Sequence, residues 1–491
     1  MTYANNYLYA KKTPNFLPLA TLPTFTFNCH TVMPISRRKL LQTLGAATGV
    51  AMLTGFSEES ENYFEKIPAL DKYPGFVKPD KPVSVITLGA GNRGNVYGNF
   101  ALSYPDEMDI VGVAEPIVIR NDRYSKKHNI PDAHRFDTWE RVFERPKFAD
   151  AVMITTPDNL HYGPCMAALK AGYDILLEKP ISPSEQECKN ILALAKETGR
   201  IVAVCHVLRY APYFIKLREV VQSGAIGELI SIQHLEPIEH VHMSHSYVRG
   251  NWHDRNVTTP ILLAKSCHDL DILRWIVDKP CKQVVAMGSL KWFRAENAPA
   301  GSTARCTDGC AAETTCPYSA LKIYYRNRQR TGVFDLPEEP EKQGEAILEK
   351  LRTTNYGRCV YKMDNNQEDH YVMAVQFEGG VTATFSMEAF TSYEGRRTRL
   401  MGSMGDIVGD METFTVTDFR TGKSTVHDSA VAGDMHGGGD WRLVRDWLQA
   451  IVQHDPSLLT STIDASIESH LMGFKAEKSR ATNRIEQMGG S

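Results

Sequence analysis

What this chain has little of bounds what it can be. Its 491 residues carry ten cysteines, scattered along the length, so it is not a disulfide scaffold. It lacks a charge excess: 55 Lys and Arg stand against 58 Asp and Glu, a net charge of -3. No long basic run offsets that balance, so no global field favours nucleic acid or anionic lipid. It also lacks a comfortable apolar run of the about 20 residues that a spanning helix needs. What remains, 42% hydrophobic residues with ordinary Gly and Pro, describes a globular chain with length for two domains of roughly 100–200 residues each.

The N-terminal stretch stands apart. Ser36-Arg37-Arg38-Lys39-Leu40-Leu41-Gln42 precedes a small-residue apolar run from Thr43 to Phe56, then Glu58-Glu59. A twin arginine before a modest apolar stretch resembles a Tat export signal, which implies a periplasmic protein. No cysteine follows Leu53-Thr54-Gly55, which argues against a lipoprotein anchor. Met33 lies just upstream, so residues 1–32 read as an over-extended start. Residues 1–77 are assigned to signal and linker.

Beyond them the apolar pattern is that of buried strands alternating with helices. Val83–Leu88 runs directly into Gly89-Ala90-Gly91-Asn92-Arg93-Gly94. A G-x-G-x-x-G between strand and helix gives a tight turn, a close approach for a pyrophosphate and close helix packing, and the helix N-terminus offers free N–H groups. The strand Asp109–Ala114 ends in Glu115, about 20 residues on, where an acid bonds ribose hydroxyls. A carboxylate there repels a 2′-phosphate, so NAD is expected over NADP, with Arg120 and Arg123 nearby pulling the other way. Strands at Ala151–Thr155, Tyr173–Leu177 and Ile201–Cys205, with helices between, predict a doubly wound parallel sheet over residues 78–210. Glu178-Lys179-Pro180 then falls past the carboxyl end of a strand, where open α/β sheets bind ligands.

After Gly227 the pattern changes. Glu228–His234, Gln283–Gly288, Asp369–Phe377, Val381–Ala389 and Thr398–Met401 predict half-solvated strands of an open, mainly antiparallel sheet in an α+β domain over 211–491. A cysteine-bearing insertion interrupts it at about 290–360, and Trp441–Val452 predicts a helix. The segment Ile261–Trp275 predicts one helix with Lys265, His268 and Asp271 spaced to share a face. Imidazole suits proton transfer near neutrality.

The motifs Gly89–Gly94, Thr155-Thr156-Pro157-Asp158-Asn159-Leu160-His161, Glu178-Lys179-Pro180 and Cys267-His268-Asp269-Leu270-Asp271 together resemble the glucose–fructose oxidoreductase / inositol dehydrogenase (Gfo/Idh/MocA) family. The resemblance covers nearly all of the chain from about Lys81. It implies a Rossmann domain followed by a sheet domain carrying the substrate site, and NAD(P) chemistry on sugars, polyols and related carbonyls. It implies a catalytic pair, His268 and Lys179, and a cofactor set of Gly89, Gly91, Asn92, Arg93, Gly94, Glu115, Thr156, Pro157, Asp158, His161, Glu178, Lys179 and Arg209. The family's aspartate four residues before the histidine is Ala264 here, followed by Lys265. Two lysines converging on His268 would depress one another's pKa and give a neutral lysine base, so Lys265 joins the catalytic candidates.

A carbohydrate pocket is expected from Tyr247, Trp252, His253, Asp271 and His436, since aromatic faces and convergent polar groups hold hydroxyl-rich ligands. No metal is assigned. Cys306, Cys310 and Cys316 form a C-x3-C-x5-C cluster that leaves two alternatives open, a structural zinc completed by Cys281 or Cys359, or a disulfide.

The leading expectation is an NAD-dependent oxidoreductase on a sugar or sugar derivative, its cofactor tightly bound. Export with bound NAD favours redox-neutral chemistry, and an NAD-dependent glycoside hydrolase is the first alternative. The paired carboxylates of ordinary glycosidases are not evident. A non-catalytic sugar or nucleotide sensor is the second alternative. A homo-oligomer, dimer or tetramer, is expected through an exposed sheet face.

Overall fold

A computed structural model describes residues 76–428 and 436–489. The twin-arginine stretch lies outside the described residues, as do Asp434 and Met435.

Six short strands form the first sheet: β1 (Val83–Leu88), β2 (Met108–Ala114), β3 (Arg135–Phe136), β4 (Ala151–Ile154), β5 (Asp174–Leu177) and β6 (Val202–Val204). Their order is β3-β2-β1-β4-β5-β6, and every pairing is parallel. Val85, Met153, Leu176 and Ala203 bury one face, while Ile86, Val152, Ile175 and Val202 bury the other. Burial on both faces is why these strands appear in the sequence as unbroken apolar runs. The order reverses between β1 and β4, so the crevice at their carboxyl ends is the expected ligand position.

The second sheet is built from β7 (Leu229–Pro237), β8 (Cys281–Ser289), β9 (His370–Phe377), β10 (Thr382–Glu388), β11 (Arg397–Gly402), β12 (Gly405–Gly409), β13 (Thr413–Asp418), β14 (Ser424–Asp428) and β15 (Glu486–Gln487). Its order is β14-β13-β12-β11-β7-β10-β9-β8-β15, with β7 and β10 parallel and the other neighbours antiparallel. Period two turns Ile232, His234 and Glu236 of β7 to the buried face. The insertion between β8 and β9 has its own small core of Cys306, Ala320, Tyr324, Phe334, Ile347 and Leu351.

Four helices frame the crevice: α1 (Asn92–Ser103), α2 (Cys267–Val277), α3 (Gly439–Gln453) and α4 (Ile463–Thr482). The helix expected at Trp441–Val452 is α3. Its Leu443, Val444, Trp447 and Leu448 pack with Val83 and Leu176 of the first sheet and with Phe100 of α1. The chain therefore returns to its first sheet near its end. Arg445 of α3 seals that return with a buried bidentate pair to Glu107, at 3.0 and 2.6 Å. Helix α4 joins both cores, through Ile463 and Ile467 on one side and Met472 and Ala476 on the other.

One buried group on α3 works against stability. Asp446 has an unpartnered Oδ1, and burial pushes its carboxyl up to about 8. A folded-state value above the unfolded one makes the folded chain bind the extra proton. Stability is then lost as pH rises from the ordinary carboxylate range to about 8, by about 1.4 kcal/mol per pH unit. Asp446→Asn is expected to flatten this slope and to raise Tm at pH 8, as measured by thermal unfolding across pH.

Candidate active site

The glycine loop fits a dinucleotide, glycine by glycine. Gly89 has φ +97°, and a side chain there would strike the Thr155 carbonyl. A Cβ at Gly94 would lie 2.2 Å from the Gly89 carbonyl oxygen, so this glycine lets α1 pack on the turn. A Cβ at Gly91 would meet nothing within 4 Å. Gly91 is also the cap of α1 and provides no side-chain acceptor, so open space faces N–H groups able to receive a pyrophosphate. Asn92 begins α1 beside it, exposed.

Glu115 is held at the end of β2 by the Ala90 and Ile117 amides, at 2.8 and 2.9 Å, ready to accept ribose hydroxyls. The two arginines that could favour a 2′-phosphate are engaged by the insertion. Arg120 makes a bidentate pair with Asp335 at 2.8 and 2.9 Å, and Arg123 donates to the Leu336 carbonyl at 2.8 Å. Asp335→Ala should free Arg120 and raise the NADP to NAD ratio of kcat/KM several-fold, measured with both nucleotides.

Past β5, Glu178 is buried and accepts from Arg93 at 2.7 Å and from Tyr97 at 2.8 Å. Arg93 also donates to Tyr97 and pairs with Asp440 at the start of α3, at 2.6 Å. Burial alone would raise the Glu178 carboxyl, but Arg93 and Lys179 hold it below the usual range. Glu178 thus anchors the loop: its carboxylate ties the end of β5 to α1, and Arg93 carries the link on to α3.

The Lys179–Pro180 peptide is cis. Lys179 donates its ammonium to the Ala264 carbonyl at 2.9 Å. A backbone oxygen thus partners the lysine at the residue where an aspartate was expected. His268, on α2, is 3% exposed, and both its ring nitrogens lack a hydrogen-bond partner among the described residues. Burial first, then Lys179, His436, Arg396 and His206, drive its pKa well below the ordinary range. Its ring lies 5.6 Å from that of His436 and 6.0 Å from that of His206. His436 in turn bonds Asp440 at 3.2 Å. Lys179 and His268, expected as the catalytic pair, lie beside each other, and His436, expected as a substrate contact, adjoins them.

Lys265 corrects the sequence expectation. The helix breaks after Ile261–Ala264 and restarts at Cys267, so Lys265 and His268 do not share one continuous helical face. Lys265 pairs with Glu236 of β7 at 3.1 Å. Glu236 pairs with Arg396 at 2.8 Å, and Arg396 with Asp269 at 2.6 Å. Asp269 also meets His234 at 3.0 Å. Lys265 ends a chain of alternating charges, and its ammonium has a carboxylate partner that the neutral-base idea left out.

Arg209 and Asp271 are a second correction. They form a bidentate pair at 2.6 Å in each arm, 3% and 1% exposed. Arg209 also donates to the Thr460 and Ala465 carbonyls, and Ser469 donates to Asp271. Both are consumed in joining α2 to α4, not in holding cofactor or substrate. His161 lies between the Pro180 and Thr156 carbonyls, at 2.8 and 3.0 Å. It braces two loops through both ring nitrogens. His253 closes a turn on the Gly250 carbonyl at 2.8 Å.

The Thr156-Pro157 turn stays half-open beside the crevice, while Asp158 is buried and accepts from the Trp252 indole at 3.2 Å. Tyr247 lies near Trp252, the rings tilted by 38° with centroids 6.1 Å apart, and burial raises its phenol far above the usual range, with Glu236 adding to the effect. Sequence reasoning missed His206, Glu236 and Arg396. Glu236 had a signal, its period-two spacing from His234; Arg396 had none.

Cys306, Cys310, Cys316 and Cys359 line one small cavity, all as free thiols. Among the described residues no cysteine is paired, and no three His, Cys, Asp or Glu side chains converge as they stand to hold a metal. No described helix is long and apolar enough to cross a membrane.

Comparison with known proteins gives the same answer as the geometry. Residues 83–206 match the oxidoreductase family, NAD-binding Rossmann fold, and residues 218–479 match the same family's C-terminal alpha/beta domain. The chain belongs to the Gfo/Idh/MocA oxidoreductase family. It is 26% identical to the putative oxidoreductase YteT of Bacillus subtilis over 63% of this chain and 74% of that one. It is 27% identical to an inositol 2-dehydrogenase of Corynebacterium glutamicum over 40% of this chain, a match spanning 54% of that relative. Among solved structures, a levoglucosan dehydrogenase in complex with NADH and levoglucosan has the same fold. Its TM-score is 0.62 at 14% identity, over 84% of this chain and 100% of the other. The cofactor is NAD.

Proposed function

We propose that this oxidoreductase acts on a carbinol of a sugar or sugar derivative, with His268 as the base and Lys179 as the group beside it. The observation that carries the reading is His268: a buried, unpartnered imidazole kept neutral by its surroundings, next to a lysine fixed by a backbone carbonyl. When bound, NAD supplies the hydride acceptor. A neutral imidazole takes the hydroxyl proton as the carbinol is oxidised, and the Lys179 ammonium stabilises the oxygen as it loses that proton. The cations around His268 disfavour its protonated form, so the proton it takes is not retained there. Half-buried Trp252 offers an aromatic face of the kind that carbohydrate rings pack on. The relatives' printed activities, on inositol and levoglucosan, support a polyhydroxyl substrate.

Arg37 and Arg38 favour a chain exported already folded, with NAD retained and regenerated within each cycle, and therefore a redox-neutral reaction such as glycoside cleavage. The purified full chain, given a panel of sugars, polyols and glycosides without added nucleotide, separates these outcomes. Reduction of bound NAD by a free sugar or polyol supports the oxidoreductase reading. Release of sugar from a glycoside moves it to the hydrolase. Neither, with nucleotide bound, leaves a sensor and overturns the proposal. Met287 and Val372 pair across β8 and β9, exposed on the sheet's outer side; such a patch favours a second copy of the chain, which light scattering would register as a dimer or tetramer.

A further inference from the structure

We infer that Cys306, Cys310, Cys316 and Cys359 bind a thiophilic divalent ion such as zinc as a tetrathiolate, with Arg249 balancing its charge. The four thiols line one cavity in the insertion. Two are set by backbone: an isolated antiparallel bridge joins Arg305 to Arg358, Cys306 donates its amide to Gly357 and Cys359 to Ala304, both at 2.9 Å. By period two, Cys306 and Cys359 leave the bridge on the same side. Cys310 and Cys316 lie half-buried on the run of turns that follows Cys306.

The second observation is Arg249, which lines the same cavity and is 1% exposed. Its Nε donates to the Arg358 carbonyl at 2.8 Å, and its Nη2 to the Tyr318 carbonyl at 2.7 Å and to the Cys306 sulfur at 3.9 Å. Its Nη1 has no partner, and among the described residues no carboxylate pairs with it. A guanidinium buried without an anion is costly. Neutral thiols do not supply that anion; thiolates do. Four thiolates on a divalent ion leave a net charge of minus two, and a buried guanidinium offsets half of it.

The thiols do not converge on one point as they stand. Closure to the zinc–sulfur distance of about 2.3 Å requires the turns at 301–317 to carry Cys310 and Cys316 in towards the Cys306–Cys359 pair. Each thiol gives up its proton to solvent as the ion binds, so uptake releases protons and weakens at low pH. The bound ion would tie the insertion's turns to the bridge.

The test uses the full chain, purified without chelator under reducing conditions. Elemental analysis is expected to find one zinc per chain. The metal-stripped chain should take up Zn2+ alone to the same stoichiometry, and Co2+ in its place should give thiolate charge-transfer absorption. Cys316→Ser and Cys359→Ser should each abolish tight uptake, whereas Cys188→Ser, in the first domain, should not. Arg249→Met should weaken zinc affinity by about 10–100-fold, and Arg249→Lys should largely restore it. Wild-type chain that takes up no Zn2+ while all four thiols react freely overturns the proposal, as does a mass measurement showing these cysteines paired in disulfides. The wild-type readings decide the matter even where a variant fails to fold.

Discussion

His268→Ala is expected to lower kcat by about 100- to 10,000-fold, the range for losing a positioned general base, while bound NAD is retained. Retention follows from the separation of parts: the glycine loop and Glu115 are set by β1, α1 and β2, whereas His268 rides on α2. Lys179→Ala should produce a loss of the same order, because it removes the hydrogen-bond donor fixed on Ala264. The pH dependence carries the sign of the effect. Burial and the surrounding cations lower the His268 pKa well below its ordinary value of 6.5, so the neutral base persists as pH falls through 6. The acid limb of kcat/KM for wild type should lie well below the limb of an unperturbed histidine. His436→Gln, which removes one of those neighbours, should move the limb up.

Asp271→Ala is expected to act on stability, with a loss of about 3–5 kcal/mol, the range for breaking a buried ion pair by removing one partner. It would leave the Arg209 guanidinium buried with carbonyl partners and no anion. Urea unfolding of the variant against wild type measures this directly. Were Asp271 a substrate contact, as its spacing from His268 implies, the change would raise KM and leave the unfolding midpoint in place. Buried at 1% exposure and bonded to Arg209 through both oxygens, it has no face left for substrate.

These two residues show where sequence reading succeeds and where it stops. The parallel sheet was legible because strands buried on both faces leave unbroken apolar runs, each ending in a marked residue: Gly89, Glu115, Thr155, Glu178. The glycine loop was legible because its chemistry requires glycine at fixed offsets, and Gly89 and Gly94 meet their neighbours as that spacing demands. Pairings between distant segments were not legible. Nothing local to Arg209 says that it meets Asp271, nor that Arg120 is taken up by Asp335, more than two hundred residues on.

The helix break at Lys265 misled for a related reason. The run Ile261–Trp275 has helical spacing throughout, and only tertiary contacts reveal that Ala264 ends one helix and Cys267 begins another. The ion pair with Glu236 then gives Lys265 a partner that helical geometry could not supply. Strands β12 to β14 went unanticipated because glycine and polar residues at Gly405, Gly409 and Asp410 interrupt their alternation. The return of α3 to the first sheet was invisible as well, although its helical pattern was plain. Amphipathic spacing tells that a face is buried, not against what.

The account's central claim is that neutral His268, with Lys179 beside it, takes the proton from a carbinol whose hydride passes to NAD. The most direct test is single-turnover reduction of NAD by a reactive polyol or sugar from the panel, followed across pH in wild type and His268→Ala. The account predicts rapid reduction that persists below pH 6 in wild type, and its near-complete loss at every pH in the variant with NAD still bound. Equal single-turnover rates in the two proteins would contradict it.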